Sequence, residues 1–170
     1  MRPVLFSPHN DDETLFASFL IQRYEPLVVT VFKSVVQEAQ GITAREREWE
    51  TSHAVSVLSA DVGLVQWPFP DDGSVHVEEI KDAMRDLIID EYGGEPPPVF
   101  VPAWSKRGHR DHNMVNVAAL EVFADVVEYM TYDYPEYDQL YPPYDSQVSI
   151  IDLLFMQGPG AGDCIWRAAS

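Results

Sequence analysis

The sequence predicts an α/β protein whose mostly parallel β-sheet is covered by helices on both faces. Five short runs of apolar, often β-branched residues alternate with four longer segments whose apolar residues recur at helical spacing. The two clearest runs, Val4 to Phe6 and Leu27 to Phe32, are apolar at almost every position, as expected of strands buried on both faces. Because the pattern contains no internal repeat and no linker, we expect a single Rossmann-like domain over residues 1–170.

The first half of the chain supplies two strands and two helices in alternation. The strand Val4 to Phe6 ends at Ser7-Pro8, and a helix is predicted from Asp11 to Arg23. The first turn of this helix would hold three acidic residues, which the helix dipole favours at that end. The buried strand Leu27 to Phe32 follows, and helical spacing then predicts a long helix from about Thr43 to Leu58.

The second half continues the same alternation. A short strand at Val65 to Trp67 leads through a Pro- and Asp-rich turn to a helix from about Val77 to Tyr92, which Gly93-Gly94 ends. Beyond Pro135 the pattern assigns no element. The remaining predicted elements are a strand at Val99 to Val101, a helix at Asn113 to Ala124 and a strand at Val126 to Tyr132.

The acidic composition excludes several classes of partner. Eleven Lys and Arg stand against 28 Asp and Glu, which gives a net charge of −17 at pH 7. Nucleic acids and anionic membranes are bound mainly through Lys and Arg, so we expect neither as a partner. The single cysteine, Cys164, excludes an internal disulfide framework and a multi-cysteine zinc site. With no apolar run near the roughly 20 residues of a membrane span and no signal peptide, we expect a cytoplasmic protein.

Three of the five histidines fall in two short polar clusters. The first cluster, residues 7–13, follows the first predicted strand, and the second, residues 108–113, lies a few residues beyond the strand at Val99 to Val101. In an open parallel sheet, ligands bind in the crevice beyond the carboxyl ends of the strands. We therefore expect the two clusters to converge although about 100 residues separate them.

The residue types in these clusters suit metal-assisted hydrolysis. Catalytic zinc commonly has three protein ligands and an open position, and His9, Asp12 and His112 could supply those ligands. Asp11 would then be a free carboxylate beside the metal, and His109 could donate a proton or stabilise an oxyanion. The alternative is that the acidic residues only open a helix and that the histidines lie on the surface.

The same segments resemble the signatures of a known family. Pro8 to Glu13 (PHNDDE) is similar to the PHxDDE motif of the PIG-L/LmbE-like N-acetylglucosaminyl deacetylases, and His109 to His112 (HRDH) resembles their HPDH motif. Between them, Arg47 to Leu58 resembles the family helix RxxExxxAxxxLG, and Pro70 to Gly73 resembles its "pDG" loop. The likeness runs in the family's order from about residue 4 to 113.

The resemblance implies a metal-dependent N-deacetylase. In that family the corresponding histidine, aspartate and last histidine bind zinc, which here are His9, Asp12 and His112. A set of two histidines and one aspartate also suits Fe²⁺ or another divalent ion, so zinc is a preference among metals. The expected partner is a small N-acetyl sugar or glycoconjugate, and the oligomeric state is left open.

The resemblance also implies roles for residues that do not bind the metal. Asp11 corresponds to the family's general base, and His109 to the histidine that assists the transition state, with Asp111 orienting it. Arg47 and Asp72 match positions that contact substrate in relatives.

Some features depart from the family pattern or lie outside it. Arg110 replaces the family's proline between His109 and Asp111, and Ser59 stands where the family has glycine. The spacing favours Arg47 at the site, whereas a displacement of the helix by one turn would favour Arg45. Six of the eight tyrosines lie between residues 129 and 144, where they could form either a platform for a sugar ring or an ordinary packed loop.

Three functional classes therefore remain. The first is a zinc-dependent hydrolase that removes the acetyl group from an N-acetylglucosamine-type sugar. The second is a metallohydrolase for another amide or a phosphoester, although two-metal phosphoesterases need more ligands than this one set. The third is a non-catalytic carbohydrate-binding relative, against which the free carboxylate of Asp11 argues, because binding alone needs no base.

Overall fold

The computed structural model describes residues 1–34, 41–128 and 156–160. The chain divides into two compact units, Met1–Tyr129 and Met130–Ser170. The first unit holds all the strands and α-helices given below, and the described part of the second unit includes a short 3₁₀ helix at Gly158–Gly160. The expectation of a single domain over residues 1–170 stays a prediction.

The first unit alternates strands and helices in the predicted order, which confirms the α/β class. Its elements are β1 Val4–Ser7, α1 Asp12–Tyr24, β2 Leu27–Lys33, α2 Ala44–Leu58, β3 Gly63–Pro70, α3 Val77–Tyr92, β4 Val99–Phe100, α4 Arg110–Phe123 and β5 Val127–Glu128.

All strand pairs described in the sheet are parallel, and their order is β3-β2-β1-β4-β5. The chain moves outward from β1 through β2 to β3, then returns to β4 on the other side of β1. Right-handed crossovers therefore place α1 and α2, which pack together, on one face and the packed pair α3 and α4 on the other. The change of direction makes the gap between β1 and β4 a topological switch point, where such sheets bind ligands.

The core lies on both faces of the central strands. In β1 and β2, Val4, Phe6, Val29 and Val31 are fully buried. The same apolar cluster includes residues of α3 and α4 such as Met84, so the helices cover the sheet through their apolar stripes. Burying these strands on two faces explains why they are apolar at consecutive positions.

Two element boundaries differ from the prediction in ways that affect the site. Strand β3 extends to Pro70, so it delivers the acidic loop that begins at Asp71 directly to the sheet edge. Helix α4 begins three residues earlier than predicted, at Arg110, because the His109 side chain caps it by accepting a hydrogen bond from the Asp111 backbone N–H. The last predicted strand extends beyond residue 128 into residues outside the described part.

The start of α2 is set by a capping box. The Thr43 side chain accepts from the Glu46 N–H, and the Glu46 carboxylate accepts from the Thr43 N–H. Because the first helical residue is thereby fixed, the direction of each side chain on α2 is fixed as well, including that of Arg47.

Within the described residues, no helix combines the length and the apolar character needed to span a membrane.

We expect Met84→Ala to destabilise the protein by about 2–5 kcal/mol, because the fully buried side chain leaves a cavity between helix and sheet. Chemical denaturation monitored by circular dichroism would measure this change. Ile89→Ala is the matched control on the same helix, since Ile89 is 61% exposed and its truncation should change the free energy of unfolding by less than about 0.5 kcal/mol. Equal effects of the two substitutions would contradict the described packing of α3.

Candidate active site

The two polar clusters converge beyond the carboxyl ends of β1 and β4. His9 lies two residues after β1, and His109 and His112 lie at the start of α4. The ring centroid of His9 is 4.9 Å from that of His109 and 5.4 Å from that of His112. The predicted meeting of these clusters therefore occurs in the fold.

His9, Asp12 and His112 form a compact group of potential metal ligands. Asp12 Oδ2 lies 3.3 Å from His9 Nδ1 and 3.0 Å from His112 Nε2, and one ligand atom of each residue lies within 4.8 Å of the others. Burial alone would raise the pKa of Asp12, but the hydrogen bonds with His112 and His9 outweigh it and hold that pKa well below its usual range. An ionised carboxylate between two imidazoles fits a divalent ion.

The other face of His9 meets a second carboxylate. His9 Nε2 lies 3.0 Å from Asp111 Oδ2, and Asp111 is 3% exposed. Burial would lower the pKa of His9, but the hydrogen bonds with Asp12 and Asp111 outweigh it, so the pKa is raised. A carboxylate on the far nitrogen of a metal-binding histidine typically orients the ring and sets its tautomer.

Asp111 also contacts His109, mainly through its backbone. The Asp111 N–H donates to His109 Nδ1 at 3.3 Å, whereas the Asp111 carboxylate lies 3.6 Å from the same nitrogen. An acceptor at Nδ1 places the proton of a neutral ring on Nε2. The predicted orienting partner of His109 is thus nearer to His9 than to His109. His9, His109 and Asp111 make a second group with metal-ligand spacing.

Asp11 occupies an unusual backbone conformation. Its φ is +118°, a region that L-residues with side chains rarely adopt. Arg47 Nη2 donates both to the Asp11 carboxylate, at 2.9 Å, and to the Asn10 carbonyl, at 2.7 Å. These contacts from α2 hold the strained turn and leave the Asp11 side chain half exposed at the site.

Glu13 supports the turn that contains Asp11, and the sequence analysis did not identify it as a site residue. It is 1% exposed, and its carboxylate accepts hydrogen bonds from the Asp11 N–H at 3.1 Å, from Ser7 Oγ at 3.3 Å and from Thr14 Oγ1 at 3.2 Å. Burial raises the pKa of Glu13. The sequence did hold a sign of this role. The motif PHNDDE has three acidic residues, whereas the predicted metal ligand and general base account for only two of them.

The site opens into a cavity of about 470 Å³. Arg47 lines the cavity, whereas Arg45, the alternative considered from the sequence, is exposed elsewhere on α2. In the acidic loop it is Asp71 that lines the cavity; the Asp72 carboxylate accepts a hydrogen bond from the Ser74 N–H. The full lining is His9, Asn10, Asp11, Asp12, Phe16, Ser34, Arg47, Asp71, His109 and His112.

Phe16 lines the cavity and is another residue that the sequence analysis did not identify. It sits on α1 with 55% of its surface exposed, although it belongs to the apolar pattern that predicts the helix. The tyrosine-rich segment 129–144 and Cys164 lie outside the described residues.

Comparison with solved structures supports the fold. An N,N'-diacetylchitobiose deacetylase from Pyrococcus horikoshii, complexed with its inhibitor MPG, has a TM-score of 0.58 at 19% identity, over 72% of this chain and 49% of that one. A triple mutant of a deacetylase involved in the teicoplanin biosynthetic pathway gives 0.57 at 24% identity, over 74% and 60%. A conserved protein from Thermus thermophilus gives 0.55 at 22% identity, over 75% and 60%. This chain thus spans about half to three-fifths of the length of these relatives.

Sequence comparison places the chain in a family. No protein of curated function matched the sequence. A model of the WbqC-like protein family matches residues 112–164, under a third of the chain, so it assigns no family. The PIG-L model, described as GlcNAc-PI de-N-acetylase, matches residues 4–123, and because this is well over half of the sequence, the chain belongs to the PIG-L family.

Proposed function

We propose that this protein is a metal-dependent hydrolase that removes the acetyl group from an N-acetylglucosamine-type sugar or glycoconjugate. The observation that carries the proposal is the group formed by His9, Asp12 and His112, with the carboxylate of Asp11 beside it in the same cavity. Membership of a family of de-N-acetylases supports this reaction. The proposed location is the cytoplasm, since a single cysteine cannot form the disulfide framework typical of secreted domains.

The chemistry of the donor set fits Zn²⁺, with Fe²⁺ as the second choice. His9 would offer Nδ1 to the metal, because its Nε2 is held by Asp111. His112 would offer Nε2, and Asp12 its carboxylate, since these atoms already face each other. A bound ion of this kind polarises an amide carbonyl and lowers the pKa of water to about 7.

Asp11 is the proposed general base. It belongs to neither group of potential ligands, so its carboxylate stays available to take a proton from the attacking water. Arg47 binds one carboxylate oxygen, Oδ2, which orients the side chain and leaves Oδ1 for the proton. The strained backbone of Asp11, held by Arg47 and Glu13, would keep the carboxylate at the cavity that it lines.

His109 is the proposed donor to the oxyanion. With Nδ1 accepting from the Asp111 N–H, the ring proton on Nε2 can be donated to the oxygen of the former carbonyl. The leaving amine then needs a proton, which either Asp11 or His109 can return. Asp111 would hold both rings in place, through its carboxylate for His9 and its backbone for His109.

Arg47 and Asp72 are the proposed substrate-contacting residues. The position of Arg47 supports this role, because its side chain lines the cavity beside Asp11. For the acidic loop, the lining residue Asp71 lies next to Asp72, so a sugar hydroxyl bound by this loop would meet Asp71 as well.

We expect His112→Ala to lose most of its bound zinc or iron, because removing one of three protein ligands opens the site. Metal content after loading and gel filtration, measured by plasma emission spectroscopy, tests this. His53→Ala is the control, since His53 is exposed on α2 and stacks on Trp49 away from the cavity. Full metal occupancy of the His112 variant would end the assignment.

We expect the wild-type protein to release acetate from at least one N-acetyl sugar in a panel, and Asp11→Asn to lower that rate by at least about 100-fold while keeping its metal. The reason is that amide oxygen cannot take the proton, and losing a general base costs about 10²–10⁴ in rate.

The controls of this panel separate the three functional classes. Release of phosphate from aryl phosphates without release of acetate would favour the phosphoesterase class, and sugar binding without turnover would favour the non-catalytic class. Near wild-type acetate release by Asp11→Asn would show that the proposed base is wrong even if the metal site is correct.

We expect Arg47→Ala to lower acetate release by about 10–100-fold, because it removes both the partner of Asp11 and a lining cation. Arg45→Ala removes the same charge from the same helix at a position outside the cavity lining, so its rate should stay within about twofold of wild type. Steady-state kinetics of both variants test the assignment. Equal losses of rate in the two variants would show that the total charge of the helix, and not the position of Arg47, determines the effect.

A further inference from the structure

Arg110 joins two segments that each contribute residues to the cavity lining. Its Nη1 donates to the Gly73 carbonyl at 2.8 Å, and its Nη2 lies 3.4 Å from the Val75 carbonyl. Both acceptors belong to residues 71–76, the loop that joins β3 to α3 and carries Asp71 at the cavity. Arg110 itself is the first residue of α4, between His109 and Asp111.

Gly73 leaves room for this guanidinium. Gly73 has a φ of +85°, and a Cβ built on it would lie 2.5 Å from Arg110 Nη1. Any other residue at position 73 would both strain the backbone and displace the arginine. The loop backbone is thus compatible with the arginine only because position 73 has no side chain.

The helix itself does not require an arginine at this position. His109 has φ −59° and ψ +141°, the extended conformation that a residue before proline adopts. Proline is also favoured at the first helical position, where the N–H has no intrahelical partner. The proline of the family motif would therefore fit here, so the specific contribution of Arg110 is its pair of contacts with the loop.

We propose that Arg110 is a positioning residue that clamps loop 71–76 to the start of α4. The clamp holds the wall that carries Asp71 at a fixed distance from the wall that carries His109 and His112. Its effect on substrate binding rests on the proposed function, but its effect on the loop does not.

Hydrogen exchange of the whole protein tests the clamp without any substrate. In Arg110→Pro and Arg110→Ala, the amides of Asp71 and Ser74, which bond to the Lys33 carbonyl and the Asp72 side chain, should exchange about three- to tenfold faster, the change expected for one ordinary hydrogen bond. Arg110→Lys keeps the charge but offers one donor nitrogen in place of two, so these amides should exchange at an intermediate rate. Arg107→Ala is the control, because Arg107 is an exposed arginine of the loop before α4. In this variant the amides of Asp71 and Ser74 should exchange at the wild-type rate.

Kinetics on an N-acetyl sugar provide the second measurement. Arg110→Pro should raise KM by about three- to tenfold while kcat stays within about twofold and the metal content is unchanged, because the clamp shapes the wall and not the reacting groups. Wild-type exchange and wild-type KM in Arg110→Pro would overturn the proposal, since the arginine would then act only as the first residue of α4. If the wild type turned over no N-acetyl sugar, the proposed function would fail, while the exchange rates would still decide for or against the clamp.

Discussion

The parallel pairing of β1 with β4 is the constraint on which the site depends. Val4 pairs with Val99 and Leu5 with Phe100, although about 95 residues separate the partners. This pairing brings the turn after β1 and the start of α4 to the same edge, at the point where the strand order reverses. A shift of one residue in the register would turn each buried side chain to the opposite face, where it would meet neighbours of a different shape, and close packing opposes such a shift.

Around this edge, buried carboxylates hold side chains in orientations that would otherwise cost free energy. The positive φ of Asp11 carries a strain of about 1–3 kcal/mol, typical of such conformations. Glu13 offsets part of that strain by accepting a hydrogen bond from the Asp11 N–H, and Arg47 adds a hydrogen bond to the Asn10 carbonyl. The buried Asp111 carboxylate orients the His9 ring through its contact with Nε2. Rigid support of this kind is what a catalytic group needs, because a misplaced base or ligand loses rate steeply.

The excess of acidic residues in the chain is also found in the lining of the cavity. Three aspartates line it, and among the described lining residues Arg47 is the only arginine or lysine. An acidic cavity attracts a divalent cation, and the Arg47 guanidinium pairs with the lining carboxylate of Asp11. Arg110, by contrast, directs its charge to loop carbonyls outside the lining, so replacing the family's proline does not add a cation to the cavity.

The sequence by itself determined the order of the elements and the two clusters that form the site. Apolar periodicity is a local property, so the helices from Asp12 and from Val77 were predicted within a residue at both ends. The tertiary structure alone decided which carboxylate meets which histidine and that Asp71 lines the cavity; Arg47, which also lines it, was already favoured over Arg45 by the sequence spacing. These contacts join elements far apart in the chain, and their geometry depends on the cap that starts α4 and on the strand pairing. Sequence spacing does not give the distances between these side chains, because it describes neighbours along the chain and not across the sheet.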